Sequence, residues 1–376
     1  MNLPSLPTVH PVPCAADAAR TLRRLARQGL AGVALGLAGL AATVQAALPP
    51  TQRQALVDLY NASNGPAWTN RSNWLNGDPC TNGWFGVACD LGETTVVRID
   101  LPGNALSGNL SGLDALPDLE FFNVGGNQLG GSIPPLAGLP QLSFFSASSN
   151  QLTGPLPDLG TLTNLYQFEA YDNQLSGPIP PLAGLSSLVT FNVHTNQLTG
   201  PIPPLAGIAG LSYFTVDGNQ LSGPLPDLAG LANLGVFNAS GNQLTGSIPP
   251  LSGLVSLNYF AVSYNRLTGP MPSLAGLNAL QAIQVSNNQL SGPVPVAPAS
   301  LVPNASSLCW NRFTLSTGSA NDLAWDAATG DTPWSRLCVQ PVVPVPIPTL
   351  HEAALAGLAL MLAGIAALRL RRTDRR

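Results

Sequence analysis

Apolar and polar residues recur along most of this chain with a period of 23 residues. Each period between about residues 96 and 313 holds apolar residues at fixed offsets, as in Leu188, Phe191 and Val193, and then the polar residue Asn196. The asparagines keep this register without one insertion or deletion, at Asn104, Asn127, Asn150, Asn173, Asn196, Asn219, Asn242, Asn265, Asn288 and Asn311. Such a period indicates a solenoid, whose turns bury their apolar sides only by stacking on one another.

The apolar positions of each period predict a short strand and a continuous core. Phe191 and Val193 alternate with polar residues, so both point inward, and strands of neighbouring turns stack about 4.8 Å apart in one parallel sheet. The asparagine then turns inward, where its amide both donates to and accepts from backbone groups. We therefore expect a structural asparagine in every turn and a buried aromatic column of Phe122, Phe145, Phe168, Phe191, Phe214, Phe237 and Phe260.

The repeated pattern L-x-x-F-x-V/A-x-x-N-x-L-x-G-x-I/L-P resembles the leucine-rich repeat, and its plant-type subclass in particular. The resemblance implies an α/β-type solenoid, a right-handed coil of about nine 23-residue repeats over residues 96–300 with a concave parallel β-sheet. Glycine and proline recur in phase, as at Gly177 and Pro178, which predicts turns and extended convex segments rather than disorder.

Both ends of a solenoid expose its core, so terminal units of different sequence are required. Residues 47–95 form the predicted N-terminal cap, in which Thr51 and Gln54 make a capping box that opens a helix. The run from Asp78 to Cys89 resembles the N-terminal cap of plant-type leucine-rich-repeat proteins. Residues 301–340 form the matching C-terminal cap. All six tryptophans lie in the caps, and we expect them to close the core rather than form a platform for sugars: Trp68, Trp74, Trp84, Trp310, Trp325 and Trp334.

Four cysteines follow the N-terminal segment, and an even number in an exported chain predicts disulfides. They permit three pairings, but the repeat array separates the two pairs. Cys80–Cys89 and Cys309–Cys338 are therefore the feasible bonds, one in each cap. No histidine lies near either pair, so we predict no metal site there.

The two termini predict export. Residues 1–46 contain four arginines, an apolar stretch over 29–42 and a small-residue cleavage site at Ala46, which is the order of a secretory signal peptide. The alternative is an N-terminal membrane anchor, for which the apolar stretch is short.

The C-terminal segment follows a stiff proline-rich linker over residues 341–350. Within it, Ile347, Pro348, Thr349 and Leu350 resemble the IPTL-type sorting signal of Gram-negative bacteria. Residues 351–376 are an apolar transmembrane sorting tail with a basic end. The resemblance implies processing by an exosortase-type protease after at least transient membrane contact. The alternative is an ordinary single-span anchor, and either would place the repeats at the cell surface or in an extracellular matrix.

Charge narrows the choice of partners. Residues 47–346 contain 6 Arg, no Lys and 16 Asp or Glu, so this body carries a net charge of −10. Binding of nucleic acid requires a basic face, and we predict no such partner.

Function is expected on the outward-facing strand positions, because these differ from turn to turn. The candidates are Phe121, Phe144, Gln167, Glu169, Tyr171, Asp172, Asn192, His194, Tyr213, Asp217, Tyr259 and Tyr264. The repeat spacing places Tyr171, His194 and Asp217 in one row. This row is either part of a polar recognition face or an acid–base or metal pair.

The recognition face is the better interpretation, because no nucleophile accompanies His194 and no common catalytic motif is present. We predict a non-enzyme without cofactor or metal that binds an extracellular protein, peptide or glycan. The alternative is a structural component of an extracellular matrix or biofilm without a specific ligand.

Overall fold

The computed structural model describes residues 48–314 and 318–335. The predicted signal peptide, Cys338, the proline-rich linker and the C-terminal tail lie outside these residues. Within the described ranges, no helix combines the length and apolar character needed to cross a membrane.

Ten short strands form the main sheet, and we call its solvent-facing side the concave face. The first strand is antiparallel to the second, and all later neighbours pair in parallel with a register of one repeat. This confirms the predicted parallel sheet. In order, the strands are β1 (Val87–Cys89), β2 (Val96–Asp100), β4 (Phe121–Asn123), β6 (Phe144–Ser146), β8 (Gln167–Glu169), β10 (Thr190–Asn192), β12 (Tyr213–Thr215), β14 (Val236–Asn238), β16 (Tyr259–Ala261) and β18 (Ala282–Gln284).

A second set of parallel strands, which we call the lateral sheets, follows the asparagine of each turn. The sequence predicted only turns and extended segments here, because glycine and proline normally weaken strands. The strands are β3 (Ser107–Gly108), β5 (Gln128–Leu129), β7 (Thr153–Pro155), β9 (Gln174–Pro178), β11 (Gln197–Gly200), β13 (Gln220–Pro224), β15 (Gln243–Thr245), β17 (Thr268–Gly269), β19 (Gln289–Pro293) and β20 (Arg312–Thr314).

Helical structure in the described residues is concentrated at the two ends. Helix α1 spans Pro50–Ala62, helix α2 spans Ala320–Thr329, and single 3-10 turns cover Gly65–Ala67 and Leu113–Ala115. The turns between the caps are therefore built from β structure on two sides, and the molecule is a β-solenoid of about nine turns.

The predicted aromatic column lies in the core. Its seven phenylalanines are fully buried. Neighbouring ring centroids are 5.2 to 5.7 Å apart, with interplanar angles of 10 to 22°. Offset stacking of this kind adds stability beyond burial alone. The inward leucines of each turn surround the column and make one continuous core.

The recurrent asparagines form a hydrogen-bonded ladder along the solenoid. Asn196 shows the pattern: its Nδ2 donates to the carbonyl oxygens of Ala170, Val193 and His194 at 3.0 to 3.2 Å. Its Oδ1 accepts from the backbone N–H of Leu175 at 2.9 Å. One amide therefore joins its own turn to the preceding one, which confirms the predicted structural role.

The N-terminal cap places α1 beside the first strands of the main sheet. Its buried Gln52 accepts a hydrogen bond at 2.8 Å from the backbone N–H of Val96, the first residue of β2, which lies next to the edge strand β1. The predicted capping box is wrong: the helix begins at Pro50, Pro49 precedes it, and no side chain caps it. Proline at the first helical position lacks an N–H that would need a partner. Gln54 instead donates to Asp58.

The predicted bond between Cys80 and Cys89 is present, with the two Cα atoms 5.6 Å apart. Cys309 is also disulfide-bonded, and its partner lies outside the described residues. The pairing of Cys309 with Cys338 therefore stays a prediction.

The C-terminal cap contains a capping box that the sequence analysis missed. Ser319 and Asp322 exchange hydrogen bonds between side chain and backbone at the start of α2. Trp325 and Trp334 are buried against the last turns, as predicted. Trp310 is different: 39% of it is exposed, so it does not close the core.

Replacing one ladder asparagine should destabilise the fold strongly. In Asn196→Ala the Leu175 N–H loses its acceptor. We expect a loss of at least ~1–3 kcal/mol in the free energy of unfolding, the cost of leaving a buried polar group unsatisfied. Urea unfolding followed by circular dichroism measures this. The control Gln197→Ala alters the exposed neighbour and should change stability by less than about 0.5 kcal/mol. Equal losses in both variants would contradict the role given to the ladder.

Candidate ligand-binding face

The strands of the main sheet present alternate side chains to the concave face. The parallel register aligns equivalent positions of successive turns. Gln167 therefore lies beside Thr190, which lies beside Tyr213. Glu169, Asn192 and Thr215 form the next row in the same way, as the sequence predicted.

An aromatic stack lies at the N-terminal end of the face. The rings of Phe121 and Phe144 are 4.3 Å apart between centroids and nearly parallel, at 8°. The guanidinium carbon of Arg98 lies 3.5 Å from the centroid of Phe121, within the range of a cation–π contact. Arg98 also pairs with Asp100 at 2.8 Å, and its charge is therefore already neutralised. Arg98 is not among the candidates of the sequence analysis, and its contact with the candidate Phe121 is visible only in the structure.

A central patch is formed by Glu169, Tyr171, His194, Tyr213 and Asp217. The rings of Tyr171 and His194 stack at 4.7 Å and 10°, which brings the predicted row together. The side-chain amide of Gln167 donates to Glu169 Oε1 at 2.8 Å. His194 Nδ1 lies 2.9 Å from the Thr195 hydroxyl.

The other predicted candidates have varied surroundings. Asn192 is only 7% exposed, and its Oδ1 accepts hydrogen bonds from the Thr215 hydroxyl at 2.6 Å and from the backbone N–H of His194 at 3.4 Å, so its side chain supports the patch from below. Tyr259 is half-buried and donates to Gln284 at 3.1 Å. Asp172 and Tyr264 lie at the turn after the strand, where both are exposed.

Burial dominates the electrostatics of the central patch. It raises the pKa of the Glu169 carboxyl, against the opposing hydrogen bond from Gln167. It also raises the pKa of Asp217, against the attraction of His194. Burial and then the Asp217 carboxylate raise the pKa of Tyr213, and the same two causes raise that of Tyr259 to about 12. Neither carboxylate forms an ion pair with another described residue. The patch therefore holds negative charge that lacks a full counter-charge.

The geometry gives little support to chemistry at His194. His194 and Asp217 attract each other electrostatically, but no hydrogen bond joins them. Over residues 48–314 and 318–335, no group of three or more histidine, cysteine or acidic side chains could hold a metal ion.

The raised pKa values predict a pH-dependent stability. A carboxyl whose pKa is higher in the folded than in the unfolded protein is easier to bury when it is protonated. The free energy of unfolding therefore falls as the pH rises through the raised pKa. The double variant E169Q/D217N should therefore have a higher Tm than the original chain near pH 7. The difference should shrink at about pH 3, below the ordinary values of these groups. Thermal unfolding at both pH values measures it. A charge-matched control, D158N/D227N, neutralises two exposed carboxylates outside the main sheet and should show a smaller effect.

Two segments match known families. Residues 49–90 match the leucine rich repeat N-terminal domain, and residues 345–372 match the IPTL-CTERM motif. Both matches agree with the resemblances found in the sequence.

The fold is similar to solved leucine-rich-repeat ectodomains. One is the ectodomain of the Arabidopsis thaliana membrane receptor kinase GASSHO1/SCHENGEN3, solved in complex with CASPARIAN STRIP INTEGRITY FACTOR 2. Its sequence is 32% identical to this chain, and the TM-score is 0.64. The match covers 70% of this chain and 33% of that chain. The plant peptide hormone receptor RGFR1, in complex with RGF2, is 30% identical, with a TM-score of 0.54 over 56% of this chain and 35% of that one. The chain thus spans about a third of the length of these receptor chains.

A plant ice-binding protein is similar over most of its length. It is 25% identical, with a TM-score of 0.57 over 75% of this chain and 93% of that chain. The chain therefore combines a leucine rich repeat N-terminal domain, a solenoid with the fold of leucine-rich-repeat ectodomains, and a C-terminal IPTL-CTERM motif.

Proposed function

We propose that this protein is an exported, non-enzymatic recognition protein whose concave face binds a peptide segment that carries a basic residue. One observation carries the proposal: Glu169 and Asp217 are half-buried beside the Tyr171–His194 stack and have no ion-pair partner among the described residues. A cation from a ligand would restore the favourable interactions that these carboxylates lose on burial.

The surrounding side chains suit a peptide. Tyr213 belongs to the central patch, and Phe144 of the Phe121–Phe144 stack lies on β6, the strand next to β8 of the patch. Aromatic side chains of this kind supply most of the contact energy in protein interfaces. Two of the similar structures are receptors solved with their partners, and one of them is a peptide hormone receptor.

We propose that the IPTL-CTERM segment is recognised by an exosortase-type protease, which delivers the repeats to the surface or matrix.

A peptide array probed with the purified full-length chain tests this proposal. Peptides containing lysine or arginine should be retained and acidic peptides should not. Asp217→Asn should weaken binding of a retained peptide ~10-fold or more, because a charged hydrogen bond contributes ~1.5–3 kcal/mol. Isothermal titration calorimetry measures the affinity.

Two controls separate the patch from general charge and aromatic effects. Asp227→Asn removes the same charge away from the concave face, and Tyr166→Ala removes a tyrosine that is 50% exposed just before β8. Both should bind like the original chain. Selection of acidic peptides, or equal losses in Asp217→Asn and Asp227→Asn, would contradict the proposal.

The lateral sheets favour a second candidate function, contact with ice. At the turns of β7 to β15 an exposed glutamine is followed two residues later by threonine or serine, proline follows at four of the five turns, and these strands contain no charged residue. Glutamine recurs in or just before each of these strands, at Gln151, Gln174, Gln197, Gln220 and Gln243, whereas the outward residues of the main sheet differ between turns. A uniform, uncharged and rigid surface suits a periodic partner, and the similar plant protein is ice-binding.

Ice recrystallisation assays test the second candidate. The full-length chain should slow the growth of ice grains, and Thr199→Lys should abolish the effect because a bulky charge interrupts the flat surface. Thr163→Lys is the matched control, since Thr163 is exposed outside these strands. Equal grain growth with and without the protein would exclude this function.

A further inference from the structure

Three residues form a row beside the C-terminal part of the concave face. Tyr264, Asn287 and Trp310 each precede a ladder asparagine and are spaced 23 residues apart. The backbone N–H of Asn265 donates to the carbonyl of Asn287 at 3.1 Å, and that of Asn288 donates to the carbonyl of Trp310 at 3.0 Å. The three therefore lie on successive turns, which places Tyr264 and Trp310 about 10 Å apart along the solenoid.

This turn position requires a left-handed backbone. The φ angles of Tyr264, Asn287 and Trp310 are 55°, 57° and 64°. Glycine adopts this conformation without strain and asparagine tolerates it, whereas a bulky aromatic residue adopts it only with strain. Four other turns have glycine at the equivalent position, namely Gly103, Gly126, Gly218 and Gly241. Backbone strain that is retained in this way is characteristic of functional positions.

The two aromatic side chains contribute little to the core. Tyr264 is 65% exposed and Trp310 is 39% exposed, whereas every other tryptophan is at most 7% exposed. Neither the Tyr264 hydroxyl nor the Trp310 indole N–H forms a hydrogen bond with another described residue. Both rings are therefore available to a ligand.

The strip itself is uncharged, and the hydroxyl groups next to it lie below the surface, since Ser263 and Ser286 are buried. Ser286 Oγ lies 3.1 Å from Ser263 Oγ and 3.3 Å from Ser307 Oγ, which makes a chain of hydroxyls across three turns. Residues 259–264, 282–288 and 305–310 include no charged side chain, and the nearest charges along the chain are the exposed Arg266 and Arg312, two residues after Tyr264 and Trp310. The central patch is acidic, so the two regions of the face favour different ligands.

We propose that Tyr264, Asn287 and Trp310 form a binding strip for a neutral, extended, β-linked polysaccharide. The aromatic faces stack on sugar rings, and the Asn287 amide between them supplies donors and an acceptor for sugar hydroxyls. The separation of the two aromatics is comparable to the length of a disaccharide unit in an extended chain. The strip goes beyond the proposed peptide site, because it lies on other turns and binds a different class of ligand.

Glycine substitutions give a sharp test. The variants Tyr264→Gly and Trp310→Gly remove a ring and also relieve the left-handed strain. The Tm should therefore stay the same or rise, while binding weakens ~10-fold or more through loss of an aromatic contact. Affinity electrophoresis of the full-length chain in gels containing hydroxyethyl cellulose or galactomannan measures the binding. Quenching of tryptophan fluorescence by the same polysaccharides should be reduced in Trp310→Gly.

The controls address aromatic loss and charge. Tyr166→Ala removes an exposed tyrosine elsewhere and should leave the retardation unchanged. The anionic polysaccharide alginate should not retard the original chain. Absence of retardation by both neutral polysaccharides, preference for alginate, or unchanged retardation of both glycine variants would overturn the proposal. A lower Tm in the glycine variants would show that the rings support the fold, and would overturn it as well.

Discussion

The amide of the recurrent asparagine is the interaction on which the rest of this structure depends. Each strand of the main sheet is only about three residues long, so it pairs with its neighbours over a short length. Where the chain bends away after the strand, backbone N–H and C=O groups would lack partners. Asn196 satisfies carbonyl groups in its own turn and in the preceding one, and accepts from the N–H of Leu175. Because each amide bridges two turns, one added or deleted residue would break two sets of bonds. The constant period follows from this.

The fixed register then determines the core and the caps. Phenylalanines at one position stack into a column only because successive turns are aligned. The ends of such a stack expose donors and apolar surface, and the caps cover both. Gln52 accepts from the backbone N–H of Val96 at the start of β2, and Trp325 is buried over the last turns. Among the described residues, every buried side-chain nitrogen or oxygen atom has a hydrogen-bond partner.

The sequence predicted the parts of the molecule that repeat, because repetition converts residue spacing into spatial contact. The stacking of Tyr171 on His194 was predictable for this reason. The lateral strands were missed, since Gly177 and Pro178 normally disfavour strands and pair here only because the asparagine ladder aligns them. The direction of Trp310 was missed too, because residue type does not show that a left-handed turn faces the ring outward. The burial of Asn192 was missed as well, because its hydrogen bonds from Thr215 and from the backbone of His194 depend on side-chain orientation, which no pattern reveals.

At the left-handed turn position before each ladder asparagine, residues other than glycine occur in two groups of turns, next to two different regions of the concave face. Glycine is the residue with least strain there, and the turns at Gly103, Gly126, Gly218 and Gly241 retain it. Other residues occupy the position in two groups of three. Ser149, Asp172 and Thr195 lie beside the central acidic patch, and Tyr264, Asn287 and Trp310 form the proposed strip. Because four turns have glycine at this position, the fold of the repeat does not require the side chains found in the other turns. Their presence next to the two regions of distinct charge is best explained by contacts outside the chain.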